Sequence, residues 1–382
     1  MTLRSLLLVA VLGAVTSIAA AAPDRTDPAN PAGFAIKRGT NISHWLSQDF
    51  RWAPREKWFT EADVRFIAKQ GFDHIRLPVD EKELWSADGR PIDSEFKRLV
   101  TAIDWCQKAG LRVIVDLHTL NSHHFNAANE GLKITLWTDP AKQEHLFALW
   151  RDLSAALRHF PASVLAYEIL NEPVADDPED WNKLFTKCYT MLRAVEPDRV
   201  LVVGANRWQM AENVPFLKVP EGDKKIILSF HTYAPMLFTH YKADWVPTKV
   251  YTGPVSYPGP VVDAATFAHL TKDYDESLKN QIGNAAENWG PARLRQEYEP
   301  AIRRARELGL QLYCGEFGCL PTVPRAARLA YYRDLVRIFD AEGIAYANWE
   351  YKGDFGVYEW LGLPALCGKP DRDLLRILAP KK

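Results

Sequence analysis

The chain has 382 residues, 47% of them hydrophobic and 25% charged, the composition of an ordinary globular protein. A formal net charge of -1 and a pI near 6.8 exclude any bulk electrostatic pull toward nucleic acid or an anionic membrane, and no Lys/Arg-rich run is long enough to hold a polyanion. Domain-size arithmetic would suggest two domains, but α/β barrels run to about 250 residues or more as one unit.

The first residues have the pattern of an export signal. Met1 to Arg4 is short and positive, Leu6 to Val15 is apolar and uncharged, and Ala19-Ala20-Ala21 fits a small-residue cleavage site. The apolar run is shorter than the roughly 20 residues that span a bilayer. The expectation is a signal peptide over 1–21, cleavage near Ala21, and a secreted or periplasmic protein with no membrane span. Residues 22–33 read as a loose lead-in, and 34–382 as a single domain. From there short apolar runs alternate with amphipathic stretches. Strands are expected at 36–42, 74–79, 112–118, 164–170, 200–204, 225–231, 311–314 and 344–349. Helices are expected at 61–70, 95–109, 142–159, 178–195, 300–308, 325–342 and 372–378. Gly71, Gly110, Gly309 and Gly343 stand where a helix hands over to a strand, the usual place for a C-terminal capping glycine. After the fifth strand only a short helical piece is signalled, within 208–218. Residues 233–289 are long, aromatic and without sustained periodicity, and are expected to form a structured excursion over one end of the fold. Eight strands alternating with helices imply parallel pairing and right-handed crossovers, here closed into a (β/α)8 barrel. The five cysteines, Cys106, Cys188, Cys314, Cys319 and Cys367, are too few for a disulfide scaffold and read as small buried hydrophobes, with a Cys314–Cys319 bridge left open.

In such a barrel, catalysis belongs at the C-terminal ends of the strands. The polar residues expected there are Arg76, His118, Asn171 and Glu172, His231 and Tyr233, Glu316, and Trp349. A barrel interior is normally filled by aliphatic side chains, so a ring of polar groups requires a purpose. Two carboxylates from different strands suit glycosidic bond cleavage, one protonated to release the leaving alcohol and one anionic to attack the sugar carbon. Arg76 would keep Glu316 ionised, and burial beside Glu316 would keep Glu172 protonated.

Taken in order, Ile75-Arg76-Leu77-Pro78, Leu117-His118, Leu170-Asn171-Glu172-Pro173, His231-Thr232-Tyr233, Gly315-Glu316-Phe317-Gly318 and Trp349 resemble the motifs of glycoside hydrolase family 5, the cellulase-like retaining (β/α)8 glycosidases. The opening Arg38-Gly39-Thr40-Asn41-Ile42 also looks like that family's first strand. The resemblance, from about Gly33 to the C-terminus, implies Glu172 as general acid/base and Glu316 as nucleophile. It further implies that Asn171 meets the sugar 2-hydroxyl and that Tyr233 hydrogen-bonds the nucleophile. Arg76 would position Glu316, and His118, His231 and Trp349 would line the central subsite.

Among other carboxylates, Glu168 reads as a buried partner for a base, Asp116 as an orienter of His118, and Glu350 as a possible contact to a sugar hydroxyl. Sugar rings present apolar C–H faces to aromatic rings. Of the thirteen Trp, Trp349 and Trp208 are the best platforms, with Asn206 beside the latter; Trp45, Trp137 and Trp245 are weaker. His44, His123 and His124 are further candidate contacts, the last two equally readable as a surface pair. The expected activity is retaining hydrolysis of a β-linked polysaccharide or oligosaccharide, β-glucan by preference, with β-mannan, xyloglucan or exo action as alternatives. No metal or other cofactor is expected. Rival readings are a metal-dependent barrel hydrolase using His118, His123, His124, His231 and Glu172, or a non-catalytic carbohydrate binder.

Overall fold

The computed structural model describes residues 33–49, 53–127, 133–272, 282, 284–359 and 368–380. The expected signal peptide, nearly all of the lead-in, and Cys367 lie outside them. Eight parallel strands run β1 Arg38–Asn41, β2 His74–Asp80, β3 Arg112–Thr119, β4 Leu165–Glu168, β5 Val200–Gly204, β6 Ile226–Thr232, β7 Gln311–Phe317 and β8 Ala345–Asn348. Each pairs with its neighbour in sequence, and β1 pairs with β8 through Arg38 and Tyr346 to close the barrel.

The long helices follow from amphipathic stripes and local punctuation. Thr60 and Asp63 form a reciprocal capping box ahead of Glu61–Gln70, and Asp139 and Asp177 cap helices that begin at Pro140 and Pro178. Gly71, Gly110, Gly309 and Gly343 all take positive φ at the handover to a strand. The helix expected at 300–308 instead spans Pro291–Leu308, with Pro300 inside it. Its buried stripe of Leu294, Tyr298, Ala301, Ile302 and Ala305, with the Arg295–Glu299 pair outside, outweighs the lost backbone hydrogen bond. The weak fifth crossover holds only a 3-10 turn, Ala211–Phe216. Of the excursion after β6, the described residues include short helices Met236–Thr239, Pro247–Val250 and Ala264–Lys272. Cys106, Cys188, Cys314 and Cys319 are free and buried, so the Cys314–Cys319 bridge left open does not form.

Two apolar layers hold this together. The larger lies between barrel and helices; a smaller cluster of Phe34, Ile36, Ile114, Ala166, Val200, Val202, Ile227, Tyr313, Ala345 and Ala347 fills the barrel's lower interior. Because strand side chains alternate faces, the residues two positions beyond Ile114, Ala166 and Ile227, and four beyond Ile114 and Ile227, share their inward face nearer the C-terminal rim. Those positions are Asp116 and His118, Glu168, and Ser229 and His231. The apolar plug therefore carries a polar layer on top.

Candidate active site

Arg76, on β2 and fully buried, organises the polar layer. Its Nε donates to Glu168 Oε2 at 2.6 Å and its terminal nitrogens reach Glu316 Oε1 at 2.7 Å, Asn171 Oδ1 at 2.8 Å, Asp116 Oδ2 at 3.0 Å and Asn41 Oδ1 at 3.1 Å. One planar guanidinium thus joins β1, β2, β3, β4 and β7, a task the fork geometry of Arg suits and a Lys point charge does not. Three carboxylates share a single cation in a dry interior, and their ionisation is correspondingly resisted. Burial, opposed by Arg76 and reinforced by Asp80, pushes Asp116 up to about 7. Glu168 is raised for the same first reason.

Above this layer Glu172 and Glu316 face each other across the mouth. A carboxylate oxygen of each and a ring nitrogen of His231 all lie within 4.8 Å of one another, although no chain segment joins them closely. Glu316 reaches its place because the β6–β7 register shifts by one between Phe230 and His231, setting Glu316 opposite His231. The glycine before it is a packing requirement: a Cβ on Gly315 would stand 2.9 Å from His231 Nε2 and 3.0 Å from Ser229 Oγ. Glu172 follows β4 with φ 43°, a left-handed conformation that costs a non-glycine residue about 1–3 kcal/mol and turns its side chain over the rim.

The surroundings of the two carboxyls differ. Burial raises both, but Glu316 is opposed by Arg76 and accepts from the Tyr233 hydroxyl at 2.9 Å. Tyr233 is itself held protonated by burial and by the Glu316 charge, so it remains a donor. Glu172 is raised well above the ordinary carboxylate range, first by burial and next by the charge of Glu316. Its carboxyl contact is His231 Nδ1, 2.9 Å from Oε1, and burial keeps that imidazole neutral. The proton of the pair therefore resides on Glu172. Among the described residues, Asn171 Nδ2, His118 Nε2 and His231 Nε2 around them are buried without a hydrogen-bond partner. Polar atoms left unpaired in a protein interior require an explanation, and at the mouth of the barrel a ligand hydroxyl is one that Asn171 Nδ2 and His118 Nε2 can accommodate. His118, pushed down to about 4 by burial and oriented by Asp116 at 2.7 Å, lies parallel to the Trp349 ring with centroids 5.6 Å apart.

Residues 30–354 match the family model for cellulase, glycosyl hydrolase family 5. The chain belongs to that family. It is 30% identical to endoglucanase C of Acetivibrio thermocellus, over 91% of this chain and 99% of the relative, and 27% identical to cellodextrinase A of Ruminococcus flavefaciens, over 81% and 84%. The crystal structure of the Thermotoga maritima endoglucanase Cel5A superimposes with a TM-score of 0.71 at 24% identity, covering 91% of this chain and 98% of that one. As a family 5 member the protein is a retaining glycoside hydrolase that breaks O-glycosyl bonds.

Family membership leaves some of the expected contacts to be corrected. Glu350 is fully buried; its carboxylate holds Ser43 Oγ, His44 Nε2 at 3.2 Å and the Phe355 N–H at 3.2 Å, so it ties the β8 loop to the β1 loop and is committed away from any sugar. Asn206 is buried with both ends of its amide on the backbone of Ala175, at 2.7 and 2.9 Å, and braces the loop after β4. Trp45 is a core residue, its indole N–H on Arg55 O. His123 is buried against Trp137 and His124 is exposed, so they are no surface pair. Trp137, half-buried, donates to Val174 O, and Trp208, half-buried, donates to Phe125 O at 3.0 Å. Trp245 is 53% exposed beside Phe355, at the edge of a cluster in which Ala243 and Val246 of the excursion pack on Trp349 and Tyr233. One buried residue at the site escaped sequence reasoning. Gln209 accepts the Glu172 N–H on its Oε1 at 2.8 Å. Its neighbour Trp208 drew attention to that loop, but the loop has no period from which an inward amide could be read.

Proposed function

We propose that the chain hydrolyses β-linked glucan chains by double displacement, with Glu316 as nucleophile and Glu172 as general acid and then general base. The observation that carries the reading is the pair itself: two carboxyls within 4.8 Å, one supported by Arg76 and Tyr233 and the other, among the described residues, in hydrogen-bond contact with a neutral imidazole. That spacing leaves room for a glycosyl-enzyme bond and not for an intervening water. Glu172 protonates the departing glycosidic oxygen while Glu316 forms the covalent bond to the sugar carbon. Glu172, now a carboxylate, then takes a proton from the water that releases the sugar. Asn171 Nδ2 is free to donate to the 2-hydroxyl, and His118, His231 and Trp349 bound the same space. The relatives named endoglucanase and cellodextrinase support a glucan over a mannan or xyloglucan.

The test is a digest of cello-oligosaccharides, carboxymethylcellulose and mannan with product sizing and NMR of the first-formed anomer. The β-anomer from glucans is expected, together with a Glu316→Ala variant that is inactive and, given azide, forms the α-glycosyl azide. An initial α-anomer, or full activity in Glu316→Ala, overturns the reading. Glu172, His231 and Glu316 are also spaced to hold a cation, so activity abolished by exhaustive chelation would favour metal-dependent hydrolysis instead. Export with cleavage near Ala21 belongs to the same proposal, supported by the charged, apolar and small-residue succession of the first 21 positions. N-terminal sequencing of protein recovered outside the cytoplasm checks it.

A further inference from the structure

We propose that Gln209 is a positioning residue for the proton-transfer step, one that fixes Glu172 at both its backbone and its carboxyl. The inference rests on Glu172 being the acid/base.

Gln209 is wholly buried just past β5. Its Oε1 accepts the Glu172 N–H at 2.8 Å, and its Nε2 donates to Glu168 Oε1 at 3.2 Å and Ser229 Oγ at 3.1 Å. The orientation of the amide follows from these partners. Glu168 is ion-paired with Arg76 through its other oxygen and Glu172 offers an N–H, so the carbonyl and the NH2 can each face only one way. The Gln209 backbone carbonyl accepts the His231 N–H at 2.9 Å, and His231 Nδ1 in turn contacts Glu172 Oε1 at 2.9 Å. The left-handed backbone of Glu172 is thus held directly, and its carboxyl is held through His231. On its other side the chain of bonds runs from Gln209 through Glu168 and Arg76 to Glu316, so one amide links the placement of both carboxyls.

Two features of the surrounding chain bring this side chain inward. Arg207, Trp208 and Gln209 have φ of 59°, 57° and 55°, three successive non-glycine residues in a conformation that L side chains disfavour. At Gly204, the inward position at the end of β5, a Cβ would lie 2.1 Å from Gln209 Nε2 and 2.2 Å from its Cδ and Cγ. Without a glycine there the amide has no passage to the centre of the barrel.

The test separates placement of the acid from general packing through leaving-group dependence. Gln209→Met keeps the length and removes both hydrogen-bonding ends; Gly204→Ala crowds the amide without touching its chemistry; Ser229→Ala removes one anchor. For each, kcat/KM is measured on cellotetraose, whose leaving alcohol needs a proton, and on a 2,4-dinitrophenyl β-glucoside or cellobioside, whose leaving phenolate does not. Gln209→Met should lose about 10²-fold on cellotetraose, the scale of an ångström's misplacement, and far less on the dinitrophenyl substrate, with a displaced alkaline limb in the pH profile. Gly204→Ala and Ser229→Ala should show the same selectivity, the latter more weakly. Equal losses on the two substrates, or no loss, in variants whose near-UV circular dichroism is native would overturn the inference. If Gln209→Met does not fold, the other two decide. Glu172→Ala run in parallel tells the two failures apart: leaving-group dependence there but in none of the three variants sinks the Gln209 role alone, and its absence in Glu172→Ala sinks the acid/base assignment.

Discussion

The lower and upper halves of the barrel interior are made from the same strands and solve opposite problems. Below, Ile114, Ala166, Val202, Ile227 and their neighbours exclude water and gain stability simply by being apolar and close-packed. About 7 Å higher, one inward step along the strands, Asp116 and Glu168 meet Arg76, and Ser229 meets Gln209, in a layer that is equally dry but charged. Apolar contacts in the lower layer are each replaceable by others of similar volume. In the upper layer every member satisfies another, so removing one leaves a buried charge or donor exposed to nothing. The difference teaches why the carboxyls are poised: the plug beneath keeps solvent from relaxing the charges above it.

That contrast can be broken most forcefully at Arg76. Arg76→Met leaves Asp116, Glu168 and Glu316 without their shared cation. A stability loss of about 3–5 kcal/mol in urea unfolding is expected, accompanied by loss of turnover even where the fold survives. Ile114→Ala attacks the lower half. It should cost about 2–5 kcal/mol through the cavity it leaves, while kcat/KM stays near that of the parent; a comparable loss of catalysis would mean the two layers are not separable. The smallest effect is a titration. In the proposed mechanism Glu172 carries its proton into the first step, so activity should fall as pH rises through its raised pKa, and it should fall at the acid end as Glu316 becomes protonated. Because the Glu316 charge is the second cause of that elevation, the Glu172 pKa, followed by NMR of the labelled carboxyl, should move down in Glu316→Gln. No movement would place the whole elevation in burial.

Much of this was readable before folding. The helices Glu61–Gln70, Pro178–Val195, Arg325–Glu342 and Arg372–Leu378 match their expected limits, because caps, prolines and capping glycines are local signals. Strand ends carried Arg76, His118, Glu172, His231 and Glu316 in an order that named the family. Glu350 and Trp45 misled because position beside a strand end says nothing of which way a loop turns its side chains, and Asn206 proved to support the loop after β4 and not to face outward. Gln209 was missed for the same reason: its role depends on a left-handed turn and on the space left by Gly204.

By itself, the sequence determined the alternation of strands and helices, the inward columns of each strand and the two carboxyls proposed as the acids, since period and motif are properties of neighbouring residues. Only the closed barrel decided that the ends of β4 and β7 bring those two carboxyls within 4.8 Å of each other, that one guanidinium serves five strands, and that an amide from the β5 loop meets the Glu172 backbone. Those are contacts between residues distant in the chain, and no local pattern encodes a distance across a barrel.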